Sequence, residues 1–190
     1  MLKNDLRKSA KEFRKTLGNN EKNIKDKIIF DKVVNSVEYI NSKIVLCYYS
    51  TEFEVDTIEL IKYSLSLNKR VALPKCVDEN GKMVFKYIDS INDLVCGHFG
   101  IKEPKNNLVD YQYIDDAICI IPALMVDMNG FRLGYGKGYY DRFLKKLDRK
   151  RTKSLVVLPD DFVVEEIDAD LFDEYVDFIL TEKRIIEILK

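Results

Sequence analysis

An almost uninterrupted apolar run at residues 117–126 constrains the fold more than any other feature of the sequence. It contains one proline and no charged residue. Its ten residues fall well short of the roughly 20 that a membrane-spanning helix needs. A short continuous apolar run is typical of a strand that is buried on both faces. We therefore predict a buried strand over residues 117–121, ending at Pro122.

Shorter apolar segments recur along the chain and alternate with helical patterns. Strands are predicted at residues 44–49, 70–74, 83–88, 117–121, 154–158 and 176–180. Helices are predicted at residues 2–17, 24–41, 56–68 and 139–147, with a loop at 97–104 and a short last element at 184–189. This alternation favours an α/β fold: an open, mainly parallel sheet with helices on both faces, as in isomerase-like and CoA-transferase-like proteins. The length predicts one domain over residues 1–190.

Composition and charge exclude several classes of partner. Hydrophobic residues make up 46% and charged residues 33% of the chain, as in a soluble globular protein. The 31 basic and 32 acidic residues give a net charge of -1, so no overall field attracts nucleic acid or anionic lipid. An anion site must therefore be local. The N-terminal residues lack the apolar segment of a signal peptide, which predicts a cytoplasmic location.

The cysteines and the histidine do not form a recognisable metal or disulfide pattern. Cys47, Cys76, Cys96 and Cys119 are widely spaced, and His98 is the only histidine. These spacings argue against a zinc site and against a disulfide framework. Cys47 and Cys119 lie in apolar runs and are expected in the core, while His98 is expected in a loop.

The first predicted helix carries two parallel rows of side chains. Its apolar stripe is Leu2, Leu6, Ala10, Phe13 and Leu17. A basic row follows the same spacing one position later: Lys3, Arg7, Lys11 and Arg14. The helix is expected to end at residues 18–20, a glycine and two asparagines. Taken alone, the basic row is typical of a solvated helix face.

Two carboxylates stand close together before the third predicted helix. Asp56 and Glu59 have the spacing of a capping box, with Val55 and Leu60 as the flanking hydrophobic staple. Glu54 precedes this cap, in a loop between strand and helix, where open α/β sheets place groups that contact ligands. This pattern favours Asp56 as a structural residue and Glu54 as a ligand.

Four of the eight glycines lie within nine residues, at Gly130, Gly134, Gly136 and Gly138. The segment is not a P-loop, because five rather than four residues separate Gly130 from Gly136. It is not a dinucleotide fingerprint either, because Tyr139 occupies the position of the third glycine. A purely structural turn seldom needs this many glycines.

The glycine segment nevertheless has the chemistry of an anion site. Alternating glycines allow positive φ and turn successive N–H groups towards a ligand. The helix that follows adds its positive N-terminal end. Arg132 and Lys137 can bind phosphate oxygens, and Asp141 is a hard oxygen ligand suited to magnesium beside phosphates. Three tyrosines offer ring faces and hydroxyls: Tyr135, Tyr139 and Tyr140.

The block from Asp127 and Gly130 through R-L-G-Y-G-K-G-Y-Y-D-R-F at residues 132–143 resembles the signature of the 5-formyltetrahydrofolate cyclo-ligase family. This family is also called 5,10-methenyltetrahydrofolate synthetase. Shorter matches follow in the expected order along the chain. They are Lys3 with Leu6 and Arg7, E-V-D-T at 54–57, L-P-K at 73–75, G-I-K-E-P at 100–104, and V-D-F-I-L-T-E at 176–182.

The resemblance implies an ATP- and magnesium-dependent ligase that converts 5-formyltetrahydrofolate to 5,10-methenyltetrahydrofolate, ADP and phosphate. In the mechanism proposed for the family, the formyl oxygen attacks the γ-phosphate of ATP. N10 then attacks the activated carbon, and phosphate departs. Such a reaction depends mainly on positioning and on stabilising charge. The resemblance also agrees with the α/β fold.

The resemblance further implies roles for particular residues. ATP would be bound by Lys3, Asn4, Asp5, Leu6 and Arg7, and by Arg132, Leu133, Gly134, Tyr135, Gly136, Lys137, Gly138, Tyr139 and Tyr140. The folate would contact Tyr135, Gly136, Lys137, Gly138 and Tyr139, with Thr51 and either Glu54 or Asp56. The expected catalytic residues are Arg132, Lys137 and Tyr139, and the expected magnesium ligands are Asp141 and Asp177.

Two other functions are compatible with the sequence pattern. An isomerase or a CoA-transferase-like enzyme shares the related architecture, and fold alone does not fix function; it would act without ATP. A regulator that binds nucleotide or folate without turnover would retain the same site. For the ligase, the expected partners are ATP and the reduced folate, without nucleic acid or membrane, in a monomer or weak dimer.

Overall fold

The structure is a computed structural model, and it describes residues 3–78, 81–97, 100–113 and 115–189. The helices are α1 (Lys3–Thr16), α2 (Asn19–Val34), α3 (Val37–Asn41), α4 (Ile58–Ser66) and α5 (Tyr139–Leu144). The strands are β1 (Ile44–Leu46), β2 (Arg70–Cys76), β3 (Met83–Ile88), β4 (Leu94–Cys96), β5 (Lys102–Pro104), β6 (Ala117–Ile121), β7 (Met125–Asp127), β8 (Arg132–Leu133), β9 (Thr152–Val157), β10 (Val163–Val164), β11 (Phe178–Leu180) and β12 (Ile185–Glu187). Leu2 of the apolar stripe and the predicted loop residue His98 lie outside the described residues.

A seven-stranded sheet has the order β12-β11-β9-β6-β1-β2-β3. The five inner strands are parallel, while β3 and β12 pair antiparallel at the two edges. Strand β6 lies at the centre, and all five of its residues are buried, as its continuous apolar sequence predicts. Two smaller sheets have the orders β10-β7-β8 and β4-β5.

The side chains of the central strands alternate between two apolar layers. One layer contains Ala10 of α1 and Phe143 of α5. The other contains residues of α2 and α4, including Ile29 and Ile61. The helices therefore cover both faces of a mainly parallel sheet, which confirms the predicted fold class. Cys119 and Cys47 are buried in these two layers, as expected, and burial raises the pKa of the Cys47 thiol to about 12.

Several predicted elements are wrong in extent. The strand predicted over 44–49 is limited to Ile44–Leu46, and the strand predicted over 176–180 begins at Phe178. The helix predicted over 24–41 is two helices, α2 and α3. The first ends at Val34, and Ser36 is the N-cap residue of the second, with its hydroxyl accepting from Tyr39 N. The predicted loop at 97–104 contains β5, which pairs with β4. The helix predicted to residue 147 ends at Leu144. Of the part of the chain that the structure describes, no helix has both the length and the apolar character needed to cross a bilayer.

The orientation of α1 also corrects the sequence interpretation. Arg14, from the row interpreted as solvated, is 6% exposed, whereas Phe13, from the apolar stripe, is 47% exposed. The exposed Phe13 ring packs edge-on against Phe162 at a centroid distance of 5.5 Å. Arg14 is buried because backbone carbonyl groups of distant loops accept its hydrogen bonds. At Arg14 the basic row therefore points into the protein rather than into solvent.

Candidate active site

Several of the residues singled out from the sequence gather at the carboxyl ends of the parallel strands, whereas Asp177 precedes β11 at the amino end of that strand. The loop at 47–57 follows β1, and the connection at 122–124 follows β6, its neighbour in the sheet. After β6 the chain forms the β7–β8 hairpin and runs through the glycine segment, defined as Gly134–Gly138, into α5. Open α/β sheets bind ligands at this edge.

The glycine segment contains the backbone geometry expected from its sequence. Gly136 has φ +96° and Gly138 has φ +66°, so both occupy the region that glycine favours. Gly130 also has positive φ, but it belongs to the β7–β8 turn, where an added Cβ would lie 2.8 Å from Val176 O. Gly130 is thus needed for close packing. Helix α5 has only six residues, so its dipole contributes less than the longer predicted helix would.

The buried carboxylate of Asp127 holds the turn that precedes the glycine segment. Its Oδ1 accepts from Asn129 N and Phe131 N, both at 2.9 Å. Its Oδ2 accepts from Ile167 N at 3.0 Å. Within the signature block, Asp127 and Gly130 therefore form the hairpin, and the residues after Leu133 face the candidate site.

The two segments predicted to bind ATP lie against each other. Arg7 Nε donates to Gly134 O at 2.9 Å, and Arg7 Nη1 donates to Asn4 Oδ1 at 2.7 Å. Lys3 Nζ is instead 2.5 Å from Asp170 Oδ2 and 2.6 Å from Asp173 Oδ2. Although partial burial opposes the charge on Lys3, the two carboxylates raise its pKa overall. Asn4 and Asp5 are exposed, and Leu6 is half-buried.

On the predicted folate side, the structure brings together Thr51, Glu54 and Tyr135. Glu54 is buried, and its Oε2 accepts from Thr51 N at 2.8 Å and from Thr51 Oγ1 at 2.9 Å. Its Oε1 accepts from the Tyr135 hydroxyl at 2.7 Å. Burial and the negative charge of Glu54 raise the pKa of Tyr135. Among the described residues, no salt bridge within 4.0 Å reaches Glu54.

Asp56 has a different environment, although it lies only two residues away. It is exposed, and its Oδ1 accepts from Ile58 N, the first residue of α4, at 2.8 Å. The predicted capping box is nevertheless wrong in register, because Thr57 is the N-cap residue and its hydroxyl donates to Tyr48 O at 2.6 Å. Asp56 thus stabilises the helix start, and Glu54 is the carboxylate inside the site.

Arg132, just before the glycine segment, contacts one of the two predicted metal ligands, Asp141. Its guanidinium is buried; Nη2 lies 3.0 Å from Asp141 Oδ1, and Nη1 donates to Glu174 O at 2.9 Å. The same Asp141 oxygen accepts from Glu174 N at 3.3 Å. The structure therefore pairs Asp141 with a cation from its own chain.

Asp177 is held by three hydrogen bonds. Its Oδ2 accepts from Ser154 N at 2.8 Å and from Ser154 Oγ at 2.6 Å, and its Oδ1 accepts from Arg149 Nη1 at 3.1 Å. These bonds join the residue before β11 to β9. Within residues 3–78, 81–97, 100–113 and 115–189, no group of three or more His, Cys, Asp or Glu is arranged to hold a metal ion.

The last predicted site residues line the start of α5. Lys137 has an exposed side chain, and its carbonyl accepts from Arg142 Nη2. Tyr139 is half-buried, and its hydroxyl donates to Asp78 O at 2.8 Å. The Tyr140 hydroxyl is buried without a hydrogen-bond partner in the described part of the chain, and burial raises its pKa well above the usual value. Leu133 is buried behind the segment.

Arg14 was not predicted as a site residue, yet it fixes the geometry of the site. Its Nη1 donates to Phe53 O at 3.0 Å, next to Glu54, and its Nη2 donates to Ala123 O at 2.6 Å. The guanidinium also stacks over the Phe162 ring at 4.6 Å. Through Arg14 and Arg7, α1 contacts both the folate-side loop and the glycine segment. Its place in the basic row was the only sequence signal.

Comparisons with known proteins agree with this geometry. The model of the family described as "5-formyltetrahydrofolate cyclo-ligase family" matches residues 1–182. A 5-formyltetrahydrofolate cyclo-ligase of Mycolicibacterium smegmatis is 32% identical over 157 residues, covering 80% of this chain and 79% of the relative. The NMR structure of 5,10-methenyltetrahydrofolate synthetase from Aquifex aeolicus has a TM-score of 0.85 and 31% identity, covering 100% of this chain and 94% of that chain. The 5,10-methenyltetrahydrofolate synthetase of Mycoplasma pneumoniae has a TM-score of 0.74 and 26% identity, covering 96% and 99%. The chain therefore belongs to the 5-formyltetrahydrofolate cyclo-ligase family.

Proposed function

We propose that this protein converts 5-formyltetrahydrofolate and ATP to 5,10-methenyltetrahydrofolate, ADP and phosphate. Membership of the family confirms that the protein is an ATP-dependent ligase, as the sequence predicted. The residues that perform the reaction, and the role of magnesium, are proposals. The alternatives, an ATP-independent isomerase-like or CoA-transferase-like enzyme and a non-catalytic regulator, have no specific observation in their favour.

One observation carries the assignment of the site: residues 134 and 135 join two groups of contacts. Gly134 O accepts from Arg7 of the first ATP segment, and the next residue, Tyr135, donates to Glu54. A nucleotide bound along Arg7 and the glycine segment would therefore lie next to a folate bound at Glu54. Phosphoryl transfer requires its two reactants to be in contact and aligned, and this junction provides that contact.

The folate side offers a buried carboxylate to the pterin ring. The pterin carries adjacent N–H donors, and a carboxylate is the natural acceptor for such a pair. Glu54 is oriented by Thr51 and Tyr135, so little side-chain entropy is lost when the ring binds. We assign the pterin contact to Glu54 rather than Asp56, which is exposed and bonded to the start of α4.

The phosphate side offers backbone N–H groups and three basic side chains. Gly136 and Gly138 let the backbone approach phosphate oxygens without Cβ contacts. We assign Arg7, Arg132 and Lys137 to the phosphates, where guanidinium and ammonium groups stabilise the charge of the transferred group. Tyr139 and Tyr140 would contact the reactants at the start of α5, and Leu133 would support them. Asn4 would hold Arg7, as it does in the structure.

The reaction then needs few covalent roles from the protein. The formyl oxygen attacks the γ-phosphorus, and ADP leaves. N10 attacks the formyl carbon, its proton is lost, and the carbon–oxygen bond breaks to release phosphate and close the ring. Arg132 and Lys137 stabilise negative charge during both steps. Exclusion of water matters because the activated carbon would otherwise be hydrolysed.

Magnesium fits one of its two predicted ligands better than the other. A magnesium ion beside phosphates commonly takes one or two carboxylates, keeps several waters and neutralises phosphate charge. Asp141 suits this role because it borders the glycine segment and faces Arg132, which could turn to the phosphates. Asp177 fits less well, because Arg149 and Ser154 already occupy three of the roughly four acceptor positions of its carboxylate.

The remaining expectations concern the whole molecule. We propose that residues 1–190 act as one domain in the cytoplasm, as a monomer or weak dimer, without nucleic-acid or membrane partners. The supporting observations are the near-neutral charge and the single seven-stranded sheet that both ends of the chain contact. Light scattering measures the oligomeric state, and cell fractionation measures the location.

One assay tests the proposed reaction. The absorbance of 5,10-methenyltetrahydrofolate is followed after mixing the protein with 5-formyltetrahydrofolate, ATP and magnesium, and each component is then omitted in turn. We expect product only in the complete mixture. Product without ATP would favour the isomerase-like alternative. Binding of both ligands without product in any mixture would favour the regulator.

A further inference from the structure

A tight turn at residues 170–173 carries side chains that its conformation does not explain. Asp173 N donates to Asp170 O at 3.0 Å, which closes a β-turn with Leu171 and Phe172 at its two central positions. Such positions usually carry Gly, Pro, Asn, Asp or Ser. Leu171 and Phe172 are instead apolar, and they are 94% and 75% exposed. Turn formation alone therefore does not account for these two residues.

The 170–173 turn is held in place by its two aspartates and by Lys3. Asp170 N donates to Asp173 Oδ2 at 2.8 Å, so a side chain closes the turn as well as the backbone. Lys3 Nζ lies within 2.6 Å of Asp173 Oδ2 and also contacts Asp170 Oδ2. These contacts join both ends of the turn to the start of α1, so the turn presents its apolar tip at a defined place.

The residue after the turn borders the proposed phosphate site. The carbonyl of Glu174 accepts from Arg132 Nη1 at 2.9 Å, and Glu174 N donates to Asp141 Oδ1 at 3.3 Å. Arg132 is the guanidinium assigned to the phosphates, and Asp141 is the carboxylate assigned to magnesium. The turn therefore adjoins the groups that would hold the triphosphate of ATP.

The basic row of α1 gives the order of the parts of the site. Near the C-terminal end of the helix, Arg14 donates to the carbonyl of the residue before Glu54. In the middle, Arg7 donates to Gly134 O, and at the N-terminal end Lys3 holds the turn. With a rise of about 1.5 Å per residue, roughly 10 Å separate Arg14 from Arg7 along the helix axis, and about 6 Å separate Arg7 from Lys3. The order is folate side, glycine segment, turn.

This order sets the direction of the nucleotide. The γ-phosphate must lie next to the folate, because the formyl oxygen attacks it. The rest of the nucleotide would then extend away from Glu54, along the glycine segment and towards the N-terminal end of α1. Its base would reach the 170–173 turn, where Phe172 offers an exposed ring face.

We propose that the ring of Phe172 stacks on the adenine of ATP, with Leu171 beside it, and that Lys3 is a positioning residue that holds the turn. This inference rests on the proposed function, because it takes the phosphates to lie along Arg7 and the glycine segment. Stacking on an aromatic ring binds a base through its face and needs no particular hydrogen bonds, which suits an apolar turn tip. Lys3 then acts on ATP through the turn rather than by direct contact.

Equilibrium binding of two ligands tests the stacking. Dissociation constants in the presence of magnesium are measured for ATP and for inorganic tripolyphosphate, which has three linked phosphates but no base. The unaltered protein is compared with Phe172→Ala and with Tyr63→Ala. Tyr63 is a matched aromatic control, because it is exposed on α4, which packs in the apolar layer opposite that of α1.

The expected result is a loss that affects only the ligand with a base. Phe172→Ala should weaken ATP binding about tenfold, which corresponds to about 1.4 kcal/mol and agrees with base stacking on an aromatic ring. Its affinity for tripolyphosphate should stay unchanged. Tyr63→Ala should alter neither affinity. Lys3→Met should also weaken ATP binding and leave tripolyphosphate binding unchanged, because the turn loses its contact with α1.

A second variant reports the stacking directly. The chain contains no tryptophan, so Phe172→Trp places a single fluorescent side chain at the turn tip. This variant keeps an aromatic ring face, and its affinity for ATP should therefore match that of the unaltered protein. Saturating ATP should quench the fluorescence, and saturating tripolyphosphate should not.

Three results would overturn the inference: unchanged ATP binding in Phe172→Ala, an equal loss of ATP and tripolyphosphate binding in that variant, or fluorescence of Phe172→Trp that does not respond to ATP. Weaker tripolyphosphate binding in Lys3→Met would assign Lys3 to the phosphates and contradict its positioning role. Turnover of the unaltered protein is measured separately. The predicted ATP contacts without product would contradict the proposed function while leaving the base contact intact.

Discussion

Glu54 and Asp141 both belong to the candidate active site, but they are held by different kinds of partner. Glu54 accepts hydrogen bonds from neutral donors, the Thr51 amide and hydroxyl and the Tyr135 hydroxyl. Asp141 is paired with the guanidinium of Arg132. Among the described residues the first carboxylate has no salt-bridge partner within 4.0 Å, whereas the second is paired with a cation.

This difference indicates how each side of the site meets its ligand. Glu54 is ready to accept N–H donors, because its orientation is fixed and its charge is available. Asp141 can bind a cation fully only if Arg132 finds another anion, and the phosphates of ATP would supply one. The folate side is therefore preorganised, and we expect the metal side to rearrange when nucleotide binds.

The largest effect is expected from removing the charge of Glu54. In Glu54→Gln, kcat/KM for 5-formyltetrahydrofolate should fall about 100-fold, because hydrogen bonds to a charged group contribute about 1.5–3 kcal/mol. The amide oxygen can still accept from Thr51, and the amide NH2 in the place of Oε1 can donate to the Tyr135 hydroxyl, so the fold should remain. The pKa of Tyr135, which Glu54 raises, should fall, and a spectroscopic titration measures it.

The matched control for this change is Glu52→Gln, in the same loop but exposed. It should leave kcat/KM for the folate unchanged. A second comparison uses Asp56→Asn, which should lower thermal stability slightly through the start of α4. If Asp56→Asn instead reduced folate turnover as strongly as Glu54→Gln, the assignment of the pterin contact would be reversed.

Arg14 tests how far the loop that carries Glu54 depends on α1 for its stability. Arg14 lies beside the same loop, and its hydrogen bonds go to backbone carbonyls. Arg14→Met should cost about 2 kcal/mol of unfolding free energy, because buried carbonyls lose their donors. The melting temperature measures this loss, with Lys15→Met, an exposed neighbour, as the control. A normal melting temperature would contradict the structural role of Arg14.

A smaller effect is expected on the metal side. In Asp141→Asn, the magnesium concentration for half-maximal activity should rise about tenfold, because one carboxylate ligand of the nucleotide-bound ion is lost. KM for the folate should change little. Asp168→Asn removes a charge from an exposed position and serves as the control. An unchanged magnesium requirement in Asp141→Asn would exclude Asp141 as a ligand.

The structure explains which features could be predicted from the sequence. Strand β6 was predicted with its correct bounds, because burial on both faces leaves a continuous apolar run. The sequence indicated that the glycine cluster allows positive φ, and Gly136 and Gly138 have it whereas Gly134 does not. In both cases a short stretch of sequence is enough for the prediction: an apolar run for the strand and closely spaced glycines for the backbone geometry.

The features that the sequence did not reveal depend on distant partners. Arg14 was interpreted as solvated, because the acceptors of its hydrogen bonds belong to residues 53, 123 and 124. Spacing alone could not choose between Glu54 and Asp56, because their difference in burial arises only in the folded chain. Asp177 is bonded to Arg149 and Ser154, and no spacing in the sequence relates these three residues.

The smallest effect is expected from Tyr135→Phe, which removes one neutral donor from Glu54 and leaves its charge in place. A single hydrogen bond of this kind contributes about 1 kcal/mol, so KM for the folate should rise about fivefold while kcat stays nearly constant. Tyr63→Phe, at an exposed position on α4, provides the control. In the double variant with Glu54→Gln, the two effects should be less than additive, because Tyr135 acts by orienting Glu54. Fully additive effects would mean that Tyr135 contacts the substrate independently, and the folate side would then be less preorganised than its hydrogen bonds indicate.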